Sequence, residues 1–260
     1  MTLPTRGTAR PLAAQRALLF DLDGVLTPTA AVHMRAWARL FGPYLEQHGA
    51  APYTDDDYFR YVDGKPRYDG VRSLLQARGI DLPEGAPSDS PDADTVCGLG
   101  NRKNAAFTAE LTEHGVDAYP GSMAFLDAAM AAGYRVAVVS SSANARSVLD
   151  AAGILDRFPV IVDGTVASAD GLAGKPAPDT FLDAATRLGC SADESVVIED
   201  ATSGVEAGRN GRFGLVVGVD RGVGAAALTE HGADVVVTDL DQLISGLRGG
   251  SDAAGPAPTR

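Results

Sequence analysis

The sequence predicts a doubly wound α/β fold, a parallel sheet with helices on both faces and an α-helical cap inserted into it. Three observations carry that reading. Short Val/Ile/Leu runs alternate with amphipathic stretches over most of the chain, the pattern of repeated βα units. The runs are apolar almost throughout, which suits strands buried on both faces. Between 31 and 114 the rhythm stops, and only helical segments occur, separated by loops rich in Pro, Gly and Asp.

Taken in order, the first strand is expected at 17–21 (ALLFD), followed by cap helices at 33–47, 55–61, 68–78 and 102–113. The loop at 82–94 (LPEGAPSDSPDAD) is the clearest break among them. A helix at 121–133 returns the chain to the core. Strands then follow at 135–140, 160–162, 195–199, 214–219 and 234–238, with helices at 143–152, 178–189, 202–211, 223–231 and 240–247. Residues 16–30 and 115–248 form the expected core. Residues 31–114 form a cap over the carboxyl ends of the strands, where open α/β sheets place ligands. The stretches 1–15 and 249–260 read as flexible tails.

Composition narrows the function. Over 260 residues, 45% are hydrophobic and 22% charged, as in a soluble globular protein. The formal net charge of -12 repels nucleic acid and anionic membrane, so a phosphate ligand must be met by local cations. Cys97 and Cys190 lack ligand spacing, which argues against a disulfide scaffold or zinc site and for a reducing cytoplasm. The N-terminal residues lack the long apolar segment of a signal peptide, and no run is apolar enough to span a bilayer.

Four segments carry chemistry, and each closes an expected strand. Phe20-Asp21-Leu22-Asp23-Gly24 delivers two carboxylates to one point, provided that the backbone turns at Gly24. One could attack phosphorus and the other shuttle a proton; an ordinary acidic turn is the alternative. Ser140, Ser141 and Ser142 precede a helix N-terminus, where hydroxyl and N–H groups can hold phosphate oxygens or simply cap the helix. Lys175, in Gly174-Lys175-Pro176, can neutralise phosphoryl charge and keep Asp21 ionised, or else be a surface lysine. Glu199 and Asp200 would complete, with Asp21 and the carbonyl of Asp23, an oxygen-rich Mg²⁺ site. Their alternative is a pair of surface acids. Four such endings in one sheet make coincidence a poor explanation.

On these residues the chain resembles the haloacid dehalogenase superfamily of aspartate-nucleophile phosphotransferases. DLDGVLT, SSS, GKPAPD and ED stand at its four motif positions. The resemblance implies a Rossmann-like core with an inserted cap, Asp21 as nucleophile, Asp23 as general acid/base, and Ser140 and Lys175 on the transferring phosphoryl group. Within the superfamily, the segment 29–37 (TAAVHMRAW) is similar to the β-phosphoglucomutase-like subfamily. That likeness implies a hinge role for His33 coupled to Asp23, a phosphate contact for Arg67, and sugar-phosphate contacts for Lys103 and Asn104. Ser141, Ser142 and Asn144 would complete the substrate site. The chain departs from the subfamily at Ala143, where a lysine would bind the phosphate that is not transferred; Lys65, Arg102 and Arg146 are candidate replacements. Pro28 also replaces an aspartate common after the nucleophile loop.

The expected function is therefore Mg²⁺-dependent phosphoryl transfer on a small sugar phosphate, with β-glucose 1-phosphate to glucose 6-phosphate leading and a sugar-phosphate phosphatase as alternative. A monomer or weak homodimer in the cytoplasm is expected. A dinucleotide-binding protein would place G-x-G-x-x-G after the first strand, but DLDG stands there, and Gly98-Leu99-Gly100 lies in the insert without the remaining glycine. A non-catalytic binding module would lack a catalytic carboxylate, and none is missing.

Overall fold

The computed structural model describes residues 10–248. Six parallel strands form one sheet: β1 (Ala17–Phe20), β2 (Arg135–Val139), β3 (Val160–Val162), β4 (Ser195–Glu199), β5 (Leu215–Val219) and β6 (Val235–Val237). Their order is β3-β2-β1-β4-β5-β6, so β1 is central and its carboxyl end lies between those of β2 and β4.

The helices follow in chain order. They are α1 (Thr29–Gln47), α2 (Asp55–Asp57) running into a π-helical turn (Tyr58–Val62), α3 (Arg67–Ala77), α4 (Val96–His114) and α5 (Pro120–Ala131). After β2 come α6 (Ala145–Ala151), α7 (Gly164–Asp170), α8 (Asp179–Arg187), α9 (Thr202–Asn210), α10 (Ala225–His231) and a 3₁₀ helix (Leu240–Gly246).

Alternation along the buried strands divides the core. Leu18, Phe20, Val138 and Ile198 face one side and pack with Phe125 and Leu126 of α5, Leu149 of α6, and Leu240. Leu19, Val139, Val197 and Val216 face the other and meet Phe181 of α8, Val205 of α9 and Leu228 of α10. Each such buried side chain contributes roughly 1.5–3 kcal/mol. The insert has its own apolar cluster, in which Trp37 and Phe41 of α1 meet Leu74 of α3 and Leu99 of α4. Among the described residues, no helix is long and apolar enough to cross a membrane.

Several expectations are corrected. Residues 10–15 are not a loose tail: Leu12 is buried in the core, Gln15 is fully buried, and Arg10 pairs with Asp193 at 3.2 Å. The rest of that stretch and 249–260 lie outside the described residues. The expected helix at 55–61 is one α turn followed by a π turn. The expected helix at 102–113 begins earlier, at Val96, where the Thr95 hydroxyl accepts from the Gly98 N–H at 2.9 Å. The helix at 240–247 is a 3₁₀ helix. Helix α7 was not expected at all. It buries no residue fully, and Asp163 caps it by accepting from the N–H groups of Thr165 and Val166.

Candidate active site

Every strand that ends near β1 contributes to one site. Beyond β1, the N–H of Asp21 still donates to the Ile198 carbonyl at 2.9 Å, which holds the start of the loop in the sheet. The chain then turns tightly, with Gly24 N–H donating to the Thr27 carbonyl at 2.7 Å. Gly24 has a φ of +87°, and a Cβ there would run into the Asp200 carboxylate. Glycine is thus required twice over, for the turn and for the close approach of Asp200.

Lys175 underlies this loop. Its Nζ lies 2.5 Å from Asp21 Oδ1 and 2.5 Å from Glu199 Oε1, and donates to the Val139 carbonyl at 3.1 Å. Burial opposes the lysine's charge, but the two carboxylates overcome that penalty and hold the ammonium above its ordinary range. Burial pushes Asp21 up; Lys175 pulls against that, while Glu199 and Asp23 add repulsion. Asp200 is raised by burial and by the acids around it, chiefly Asp63 and Glu199.

Asp23 sits in a different environment. The Thr29 hydroxyl donates to its Oδ1, and His33 Nε2 is 3.4 Å from the same oxygen. Burial opposes ionisation, yet His33 and Thr29 bring the carboxyl down to about 2. The His33 ring stacks on Phe107 at 4.1 Å, and its Nδ1 meets the Lys103 ammonium. Burial lowers Lys103 to about 7, with Arg67 adding repulsion, and its Nζ lies 4.9 Å over the Trp37 ring. Burial and Lys103 both lower His33.

The turn after β2 faces this pair. Ser140 is buried and its hydroxyl accepts from the Ser142 N–H at 3.1 Å, while Ser142 accepts from the Asn144 N–H at 3.2 Å. The insert closes the site from above. Ser141 donates to the Gly64 carbonyl at 2.7 Å, Ser203 to the Asp63 carbonyl at 3.4 Å, and Asn144 to Asn104 Oδ1 at 2.6 Å. Gly64 has a φ of +68°, and a Cβ on it would strike the Ser203 hydroxyl. Between the two bodies is a cavity of about 70 Å³.

The expected site residues gather around this cavity. Asp21, Asp23, His33, Arg67, Lys103, Asn104, Ser140, Ser141, Ser142, Asn144, Glu199 and Asp200 all line it. Lys175 does not; it acts from behind, through Asp21 and Glu199. Of the candidate replacements near Ala143, Lys65 lines the cavity and donates to Ser73 at 3.0 Å. Arg102 instead donates to the Pro91 carbonyl at 2.7 Å, and Arg146 lies 3.6 Å from Asp163. Sequence reasoning missed Thr29, Tyr58 and Asp63. The acidic Asp63-Gly64 turn was the available signal, but it ends no strand.

Asp21, Glu199 and Asp200 present oxygens within 4.8 Å of one another, a hard-donor set that fits Mg²⁺. The Asp23 side chain stands apart, committed to Thr29 and His33. Glu199 Oε2 accepts from the Ala201 N–H at 3.1 Å and Oε1 faces Lys175, which leaves Asp200 the freer carboxylate for a cation.

A family model described as haloacid dehalogenase-like hydrolase matches residues 15–212. The chain belongs to that family, and it is an enzyme of the phosphotransferase and phosphatase kind. It is 51% identical over 240 residues to a β-phosphoglucomutase of Mycobacterium bovis, covering 88% of this chain and 91% of that one. A β-phosphoglucomutase of Bacillus subtilis is 32% identical over 228 residues, covering 88% and 91%. A crystal structure of β-phosphoglucomutase from Clostridium difficile superposes with a TM-score of 0.72 at 25% identity, covering 88% and 93%.

Proposed function

We propose that this enzyme interconverts β-glucose 1-phosphate and glucose 6-phosphate through a phosphoryl group carried on Asp21. It would work in the cytoplasm, as a monomer or weak homodimer, without nucleic acid or membrane partners, on residues 16–30 and 115–248 as core and 31–114 as cap. The observation that carries the reading is the contrast between Asp21 and Asp23 in one cavity. Asp21 is compensated from behind by a buried lysine, whereas Asp23 is held by groups on α1. The identity to mutases over most of the chain supports it.

In the first half-reaction, with a phosphoryl group already on Asp21, Asp23 takes the proton of the sugar hydroxyl that attacks it; the bond to Asp21 breaks and a bisphosphate forms. In the second, an Asp21 oxygen attacks the other phosphorus of the reoriented bisphosphate and the bond to that sugar oxygen breaks, with Asp23 giving the oxygen its proton. The ionised state imposed by Thr29 and His33 is the one that the first step needs. Ser140 and the N–H groups after it would hold phosphoryl oxygens, and Lys175 would keep Asp21 ionised. Asp21, the Asp23 carbonyl, Glu199 and Asp200 would hold Mg²⁺, which supplies charge neutralisation on the transferring group when bound. Arg67, Lys65, Asn104 and Asn144 would meet the second phosphate.

One observation favours hydrolysis instead. Ala143 places no cation on the core side of the second-phosphate end, and that deficit weakens retention of a bisphosphate intermediate. The test is ³¹P NMR of the enzyme with Mg²⁺, β-glucose 1-phosphate and a trace of glucose 1,6-bisphosphate. Glucose 6-phosphate without matching inorganic phosphate is the expected result. Inorganic phosphate alone would establish the phosphatase. Substituting Asp21→Asn should abolish either activity, because an amide cannot form the phospho-enzyme.

A further inference from the structure

Asp63 is a partly buried carboxyl at the site to which the chemistry above gives no part. It comes from the insert, where the π-helical turn Tyr58–Val62 ends, and such turns concentrate at functional sites. The backbone around it is clamped: its own carbonyl accepts from Ser203, and the next carbonyl accepts from Ser141. Pro66, two residues beyond Gly64, packs against Gly174, so three separate core loops seat this one turn. A side chain held this way keeps its direction. The Tyr58 hydroxyl donates to its carboxylate, the charges of Glu199, Asp23 and Lys175 act on it, and both Asp63 and Tyr58 line the cavity.

The chemistry of that position limits what it can meet. A phosphoryl group is repelled by the Asp63 carboxylate, which, unlike Asp21, Glu199 and Asp200, belongs to no cation-binding set that would offset the repulsion. A cation has its own oxygens in Asp21, Glu199 and Asp200, and Asp63 is not part of that set. What remains is a neutral donor. A carboxyl offers acceptor oxygens in either protonation state, and the Tyr58 hydroxyl beside it can donate or accept.

We infer that Asp63, oriented by Tyr58, recognises one sugar hydroxyl of the substrate and so sets which sugar phosphate is turned over. This rests on the sugar-phosphate reading of the site. It makes the turn 63–67 bifunctional, with Asp63 reading the sugar while Lys65 and Arg67 attract its anionic end.

The test is steady-state kinetics of wild type, Asp63→Ala and Asp63→Asn with β-glucose 1-phosphate and its single deoxy analogues, beside phosphorylation of Asp21 by acetyl phosphate. The wild type should lose about 10- to 100-fold in kcat/KM on one deoxy analogue. Asp63→Ala should lose a similar factor on the full sugar, about threefold or less on that same analogue, and nothing on acetyl phosphate. Asp63→Asn, which keeps an acceptor oxygen and the shape, should retain most of the activity and remains informative if the alanine variant fails to fold. An equal loss across every analogue and acetyl phosphate, or no loss at all, would overturn the role of Asp63 while leaving the sugar-phosphate reading intact. A wild type inactive on glucose phosphates would overturn both.

Discussion

Asn144 donates its side-chain amide to Oδ1 of Asn104 at 2.6 Å, joining the turn after β2 to a helix of the insert. The cavity beside it, about 70 Å³, is well below the several hundred Å³ usual for small-molecule sites, so the hexose phosphate proposed above would have to enter with this bond broken. Replacing either asparagine by alanine should lower kcat/KM about 5- to 20-fold, and the double variant should lose little more than either single one. A double-mutant cycle on kcat/KM measures this; additive losses would show that the two residues act separately.

Lys175→Met removes the buried cation that faces Asp21 and Glu199. Breaking a buried ion pair in this way costs about 3–5 kcal/mol, to be read from urea unfolding. Activity should fall by more than 10³-fold, since Asp21 then has no buried partner. Lys175→Arg should recover stability only in part, because the guanidinium is too large for the lysine's place.

Asp63 makes stability depend on pH. Burial first, then repulsion from Glu199 and Asp23, raises its carboxyl to about 7 against the pull of Tyr58 and Lys175. The folded chain then binds a proton that the unfolded chain, with an ordinary value of about 3.9, has released. The contribution is full below about pH 4 and lost as the pH rises through about 7. In EDTA, the urea midpoint of the wild type should fall between pH 5 and pH 8 more steeply than that of Asp63→Asn. Parallel slopes would remove Asp63 as the cause.

Lys65 and Arg146 offer a contrast in second-phosphate binding. Lys65 lines the cavity with its ammonium on a neutral hydroxyl, whereas Arg146 is spent on Asp163. Lys65→Ala should raise KM for β-glucose 1-phosphate about tenfold with kcat little changed, the signature of lost ground-state binding. Arg146→Ala should change KM less than about twofold. The reverse order would place the missing cation on α6 instead of on the cap turn.

The sheet was legible because its strands are buried on both faces, and such strands must be written as unbroken apolar runs. All six fall within a residue of their expected bounds, and three of the four motifs were legible because each closes one of those runs; Lys175, expected at a strand end as well, instead follows α7 in the turn before α8. Helix α7 escaped because GTVASAD has no apolar stripe; its Asp163 cap does the work that burial does elsewhere. Leu12 and Gln15 escaped because a single packed turn next to a strand leaves no periodic signal. Asp63, Tyr58 and Thr29 were missed for a related reason. They reach the site through a π turn, a left-handed glycine and the first turn of α1, and none of these announces a direction in the sequence.

The central place of β1 has a consequence for synthesis. The strand that leads into Asp21 is made before the insert, yet both of its neighbours, β2 and β4, follow the entire insert. Asp21 and the lysine that neutralises it are separated by 154 residues, an interval of roughly 8–30 s at ordinary translation rates. During that time an apolar strand with two open edges precedes a helical body that can already assemble its own cluster. The insert is thus placed to fold first, leaving Asp21 to be seated last, when the sheet closes around it from both sides.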